Sequence, residues 1–179
     1  MKRIGVFLSA NADLPISFQR AAQELGEWIG HTGRTLVYGG SNRGLMDVIG
    51  RAVRENGGHT VGVVPQILFD KGWVADVLDE TFATHDLTDR KVQLIRQSDV
   101  LVALPGGIGT LDELFTAIGI AAIGLEAKPV VLYNVEGCWD SLLRLVGDLA
   151  AHNLLRANMQ KPFAVANTFE ELTAILERN

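Results

Sequence analysis

Short apolar runs alternate along this chain with longer stretches in which apolar residues recur every three or four positions. Ile4–Leu8 (IGVFL), Thr35–Tyr38 (TLVY), Thr60–Val64 (TVGVV), Val100–Leu104 (VLVAL), Pro129–Tyr133 (PVVLY) and Phe163–Ala166 read as strands. Their β-branched and leucine content runs on without polar alternation, the mark of strands buried on both faces of a parallel sheet. From Leu14 to Ile29, the residues Phe18, Ala22, Leu25 and Ile29 fall on one helical stripe. Further helices are expected over Gly44–Arg54, Leu87–Gln97, Gly109–Gly124, Trp139–Ala151 and Phe169–Arg178. Gly57-Gly58 stops the helix over Gly44–Arg54, and Pro65 closes the third strand. Gln66 to Thr84 follows neither period and reads as irregular. Strand–helix alternation from end to end predicts an α/β fold with a doubly wound parallel sheet. No internal repeat, low-complexity tract or linker interrupts it, so residues 1–179 are expected to form one domain.

Composition narrows the functions this fold would carry. The 179 residues have a net charge of −5, which gives no long-range attraction to nucleic acid or to an anionic membrane. The single cysteine, Cys138, cannot form an internal disulfide, so a reducing, cytoplasmic setting is expected. The opening MKRIGVFLSA is too short in its apolar part for a secretory signal, and no apolar segment approaches the ~20 residues that span a bilayer. His31, His59, His85 and His152 lack metal-ligand spacing, so no metal site is expected.

The chemistry concentrates in Leu104–Glu113, LPGGIGTLDE. A loop that follows a parallel strand lies at the carboxyl edge of the sheet, where such folds bind ligands. Gly106, Gly107 and Gly109 let the backbone turn sharply, take positive φ and approach a ligand closely. Thr110 is expected to open the next helix, whose free N–H groups and dipole favour an anion such as phosphate. On that helix Leu111, Leu114, Phe115 and Ile118 are expected to form the apolar face. Thr110, Glu113 and Ala117 share another, one turn from the phosphate nest. Asp112 reads as a solvated first-turn acid. The loop is not that of nucleoside triphosphatases, because no Lys-Ser/Thr follows the glycines, and it lacks G-x-G-x-x-G spacing, so a nicotinamide cofactor is not expected.

A second strand–glycine–helix junction, Tyr38–Met46 (YGGSNRGLM), offers Gly39, Gly40 and Met46 to the same sheet edge. Its bland reading is a plain turn with Ser41 or Asn42 as helix cap. Arg90 and Lys91 stand at the expected start of a helix, where the dipole disfavours cations unless an anion lies nearby. Trp73, in the irregular segment, either packs or borders the pocket.

Together these motifs resemble the Lonely Guy family, the cytokinin riboside 5′-monophosphate phosphoribohydrolases, many of whose bacterial members carry the label possible lysine decarboxylase. The family pattern P-G-G-x-G-T-x-x-E is complete from Pro105 to Glu113. Y-G-G…G-L-M matches Tyr38 to Met46, and an Arg-Lys pair matches Arg90-Lys91. KPVVLYNVEGCWD (Lys128–Asp140) is similar to the stretch K-P-V-x-L-x-N-x-x-G-x-x-D. The resemblance implies a Rossmann-like homodimer that needs no cofactor. It would hydrolyse the N-glycosidic bond of a nucleoside 5′-monophosphate, with Arg90 and Glu113 catalytic. It further implies that Gly106, Gly107, Gly109 and Thr110 hold the 5′-phosphate, with Lys91, Gly39, Gly40 and Met46 also on the substrate.

Departures from the pattern fall at Ala10, Asp47, Gly72, Gly119, Ile120 and Ala122. They touch the opening turn, the helix after the second junction and the helix expected to shape the base pocket, so the base preference is open and AMP stands beside cytokinin nucleotides. A second reading is a non-catalytic nucleotide sensor or carrier using the same nest. Amino-acid decarboxylation is disfavoured, because Lys71, Lys91, Lys128 and Lys161 show no pyridoxal-phosphate setting.

Overall fold

The computed structural model describes residues 2–178. Seven strands form one parallel sheet: β1 Arg3–Phe7, β2 Thr35–Tyr38, β3 His59–Pro65, β4 Glu80–Thr84, β5 Val100–Ala103, β6 Val130–Tyr133 and β7 Ala164–Ala166. Their order across the sheet is β4-β3-β2-β1-β5-β6-β7. The helices are α1 Ile16–His31, α2 Gly44–Glu55, α3 Gln66–Asp70, α4 Leu87–Arg96, α5 Ile108–Ala122, α6 Asp140–Ala151 and α7 Phe169–Glu177. The chain winds outward from β1 to β4, then returns to the other side of β1 with β5. The order therefore reverses between β1 and β5, where the two strand ends leave a crevice. The chain has the expected Rossmann-like α/β fold. No helix among the described residues is long and apolar enough to cross a membrane.

The two-residue period of each strand splits the core in two. Ile4, Val6 and Leu8 join Leu36, Tyr38, Val100 and Val102 on the face that α1, α2 and α7 cover. Phe7, Val37, Val61, Val63, Leu101 and Ala103 face the other way, against Leu94 and Ile95 of α4, Leu114 of α5 and Leu142 of α6. Burying each such side chain stabilises the fold by roughly 1.5–3 kcal/mol. A one-residue slip of any strand would exchange the two faces.

Two sequence expectations are corrected here. The irregular segment Gln66–Thr84 contains α3 and the edge strand β4, paired to β3 from Val61↔Glu80 to Pro65↔Thr84. As an edge strand it has one paired side and largely exposed side chains, so ETFAT has no apolar run to announce it. The expected apolar face of α5 is also rotated. Thr110, Glu113, Leu114 and Ala117 are its buried residues, while Phe115 is 41% exposed.

Helices α1 and α2 touch through glycines. A Cβ at Gly26 would lie 2.7 Å from Cβ of Ala52 and 2.9 Å from the carbonyl oxygen of Ile49. This close approach fixes α2, whose first turn carries Met46 into the crevice. Gly26→Val should therefore lower stability by about 1–3 kcal/mol, read as a lower urea midpoint with an unchanged m-value. An unaltered midpoint would mean that the helices separate without cost.

Candidate functional site

The crevice at the reversal of strand order holds two connected cavities. The inner lobe, about 270 Å³, lies between the turn after β1 (Ser9, Ala10, Asn11) and the loop into α5 (Gly107, Gly109, Thr110), with Glu113 in its wall. The outer lobe, about 410 Å³, adds Ser41, Arg43, Leu68 and Trp73. Ala10, Asn11, Met46 and Arg90 line both, so the two form one cleft.

Helix α5 begins at Ile108, two residues before Thr110, with Gly107 as its N-cap and no side-chain cap. The N–H groups of a first helical turn lack intrahelical partners and carry the positive end of the dipole. Around Gly107 and Gly109 a Cβ would meet open space, so nothing of the chain screens that backbone from a ligand. Gly106 does different work: a Cβ there would collide with the side chain of Thr110. None of these three glycines uses the positive φ open to it; that conformation occurs across the cleft at Gly40 (φ 65) and Gly44 (φ 54). The opening turn is closed by Ser9, whose Oγ accepts a hydrogen bond from the N–H of Asn11 at 3.1 Å.

Arg90 projects from α4 beneath the cleft. Its Nε donates to the carbonyl oxygen of Val63 at 3.1 Å and its Nη2 to that of Gly39 at 3.2 Å. Gly39 and Gly40 line neither lobe. A Cβ on Gly39 would collide with the guanidinium, and Gly40 packs on Val64 and Gly62. Gly39 therefore makes room for Arg90, while Gly40 lets the loop after β2 pack against β3. Burial pulls the guanidinium's pKa down and the nearby charge of Glu113 opposes this; an arginine remains charged under both. The cation argument for the start of α4 is corrected as well. Asp86 caps that helix, accepting from the N–H groups of Thr88 and Asp89 at 2.8 Å each, so its positive end is already answered.

Glu113 is 7% exposed, and no hydrogen bond from a described residue reaches its carboxylate. Burial pushes its pKa up to about 7, against the opposing pull of Arg90. It thus stands at the edge of ionisation near neutrality, as groups at functional sites often do. Lys91 lies apart: its ammonium pairs with Asp112 at 2.7 Å, and it lines neither lobe. Asp112 is thereby tied to α4 rather than left to water. Neither Ser41 nor Asn42 caps α2. Arg43 is the N-cap residue without a side-chain bond, and Asn42 Nδ2 donates to the carbonyl of Gly72 at 3.2 Å.

Met46 lies in the cleft as expected, and Trp73 borders it. The sequence reading did not single out Asn11, Arg43 or Leu68. Arg43 sits inside the YGGSNRGLM junction, which was a usable signal, whereas Leu68 reaches the cleft only through the unforeseen α3.

The buried Glu113 carboxyl makes stability depend on pH. Its folded pKa of about 7 exceeds the ordinary 4.5, so the native state binds this proton more tightly. The stabilisation is complete below about pH 4.5 and is lost as the pH rises through about 7. Glu113→Gln avoids burying the charge. Relative to the parent it should gain up to about 3 kcal/mol at pH 8 and less than about 1 kcal/mol near pH 5. Urea midpoints at the two pH values check this, and an equal offset at both would refute the buried ionisation.

Comparison with known proteins places this cleft in a family. The model of the family described as "Possible lysine decarboxylase" matches residues 46–176. Cytokinin riboside 5′-monophosphate phosphoribohydrolase LOG1 of Arabidopsis thaliana is 37% identical over 176 residues, covering 98% of this chain and 83% of that protein. LOG5 of the same plant is 35% identical, with 98% and 77% covered. Among solved structures, that of TM1055 superposes with a TM-score of 0.77 at 29% identity, covering all of both chains. The molybdenum cofactor carrier protein of Chlamydomonas reinhardtii superposes at 0.76 with 27% identity, covering 98% of this chain and 96% of that one. With that model matched over residues 46–176 and full-length relatives 35–37% identical, the chain belongs to the Lonely Guy, or possible lysine decarboxylase, family.

Proposed function

We propose that this enzyme hydrolyses the N-glycosidic bond of a nucleoside 5′-monophosphate, releasing free base and ribose 5-phosphate. Cytokinin ribotides and AMP are the first substrates to test. The observation that carries the reading is buried Glu113 in the wall of the inner lobe, with half-buried Arg90 lining both lobes beside it. The inner lobe offers an unscreened helix N-terminus for the phosphate, through Gly107, Gly109 and Thr110 with Gly106 beneath. The outer lobe offers Trp73, Leu68 and Met46 to a planar base. The ribose then spans the junction, with its anomeric carbon near Glu113.

Cleavage of the bond develops positive charge on the ribose and negative charge on the base. The Glu113 carboxylate stabilises the first and accepts a proton from the attacking water. The Arg90 guanidinium, already desolvated and fixed on two carbonyls, stabilises the second without needing to give up a proton. Lys91 fits a supporting role: its pairing with Asp112 holds α4 against α5 and thereby the distance between Arg90 and Glu113. Action as a cytoplasmic homodimer, without metal or organic cofactor, is part of the same proposal. Amino-acid decarboxylation finds no support, since no lysine among the described residues lines either lobe. The likeness to a molybdenum cofactor carrier keeps one rival in view, a protein that binds a nucleotide in this cleft and does not cleave it.

Incubation with AMP and with isopentenyladenosine 5′-monophosphate, followed by chromatography of base and ribose 5-phosphate, separates the two. The enzyme should release both products, and Glu113→Ala should cut the rate by roughly a hundredfold or more. Tight binding of nucleotides without release of base would favour the carrier. A second test concerns the seat of Arg90. Gly39→Ala must displace the guanidinium, the mobile end of a long side chain, so kcat/KM should fall by about tenfold or more. The thermal midpoint should barely change, and unchanged activity would show that the seat is not needed.

A further inference from the structure

The outer lobe presents hydrogen-bond donors and no acidic side chain. Arg43, Trp73 and Arg90 line it, with Asn11 and Ser41, and neither Asp nor Glu does. The Arg43 guanidinium lies over the indole of Trp73, its central carbon 4.4 Å from the ring centroid. No described residue forms a hydrogen bond or ion pair with that guanidinium, so its donors are unspent. Stacking on an aromatic face fixes the guanidinium plane while leaving its N–H edge free to donate.

This stack rests on a braced support. Ser41 and Val74 form an antiparallel bridge. The backbone N–H of Asn42 donates to the carbonyl of Trp73 at 3.3 Å, and that of Ala75 donates to Gly40 at 2.8 Å. With the Asn42 side chain on Gly72, these bonds join the loop after β2 to the segment before β4. Arg43 and Trp73, thirty residues apart in sequence, are thus held as one wall.

The inference rests on the proposed reaction. With the phosphate on the glycine loop and the anomeric carbon beside Glu113, the base extends past Arg90 and Met46 into the outer lobe. When the C1′–N bond breaks, its electron pair stays on the base and spreads over the ring nitrogens. The water oxygen bonds to C1′. The proton it loses passes to Glu113 and returns through solvent to the base, so water is consumed and base and ribose 5-phosphate are the only products. We propose that Arg43 is a second cationic donor for the departing base, its N–H edge, presented by Trp73, hydrogen-bonding the ring acceptor that gains negative charge as the bond breaks. Such a bond strengthens toward the transition state and therefore acts on kcat more than on substrate binding.

The test compares two leaving groups. One substrate is AMP, or whichever purine nucleotide the parent cleaves fastest. The other is 4-nitrophenyl β-ribofuranoside 5-phosphate, whose leaving group departs without help. Arg43 is exposed, so Arg43→Ala should fold with an unchanged thermal midpoint. Its kcat on the purine nucleotide should fall about a hundredfold, with KM nearly constant, while nitrophenol release should fall by no more than a few-fold. Arg43→Lys, which keeps the charge and loses the planar fork, should recover only part of the loss. Equal losses on both substrates, or a change confined to KM, would overturn the role of Arg43 and leave the reaction standing. A parent protein that releases neither base nor nitrophenol would overturn the phosphoribohydrolase reading, and the role of Arg43 with it.

Discussion

A half-buried guanidinium that bridges β3 and the loop after β2 organises this molecule's cleft. Arg90 gives hydrogen bonds to the carbonyl oxygens of Val63 on β3 and Gly39 just beyond β2. The contact holds only if β2 and β3 keep their register, if residue 39 lacks a Cβ, and if α4 returns across the sheet at the right height. The Lys91–Asp112 pair and the Asp86 cap address the last condition, since one ties α4 to α5 and the other fixes where α4 begins.

The same guanidinium sets the electrostatics of its surroundings. Glu113 sits where desolvation disfavours its charge, and Arg90 is the largest influence working the other way. Neither group is fully compensated by the protein. Arg90 spends hydrogen bonds on carbonyls rather than on a carboxylate, and the carboxylate of Glu113 has no donor among the described residues. Such an arrangement stabilises the fold less than an apolar pair would. It leaves both groups available to a ligand that brings complementary charge, which is the usual compromise between stability and activity at functional sites.

Around this pair the cleft divides by chemistry. The inner lobe exposes backbone at the start of a helix, suited to a compact anion. The outer lobe is made of side chains from four separated segments, with Trp73 braced against the loop after β2. The first is fixed by a local motif and the second by long-range hydrogen bonds. Substitutions that reshape the outer lobe would therefore leave the helix start in the inner lobe in place.

How much of this was legible in the sequence follows from the same distinction. The five inner strands announce themselves because a parallel strand buried on both faces must be continuously apolar, and the short edge strand β7 is marked by its place in the strand–helix alternation. The glycine loop and Glu113 are legible because they lie within one turn of each other, and spacing alone puts them on one side of α5. Strand β4 stayed hidden because an edge strand has little apolar surface to bury, and the face of α5 was misplaced because Phe115 looks outward despite its hydrophobicity. What only the tertiary structure decided is the work of residues far apart in the chain. Gly39 seats Arg90 across 51 residues, Lys91 turns to Asp112, and Arg43 stacks on Trp73. The sequence by itself determined the alternation of elements and the local phosphate-type loop, because those depend on neighbours in the chain. The seat, the buried charges and the outer wall depend on which strand ends and loops meet once the sheet has formed, and no local period records that.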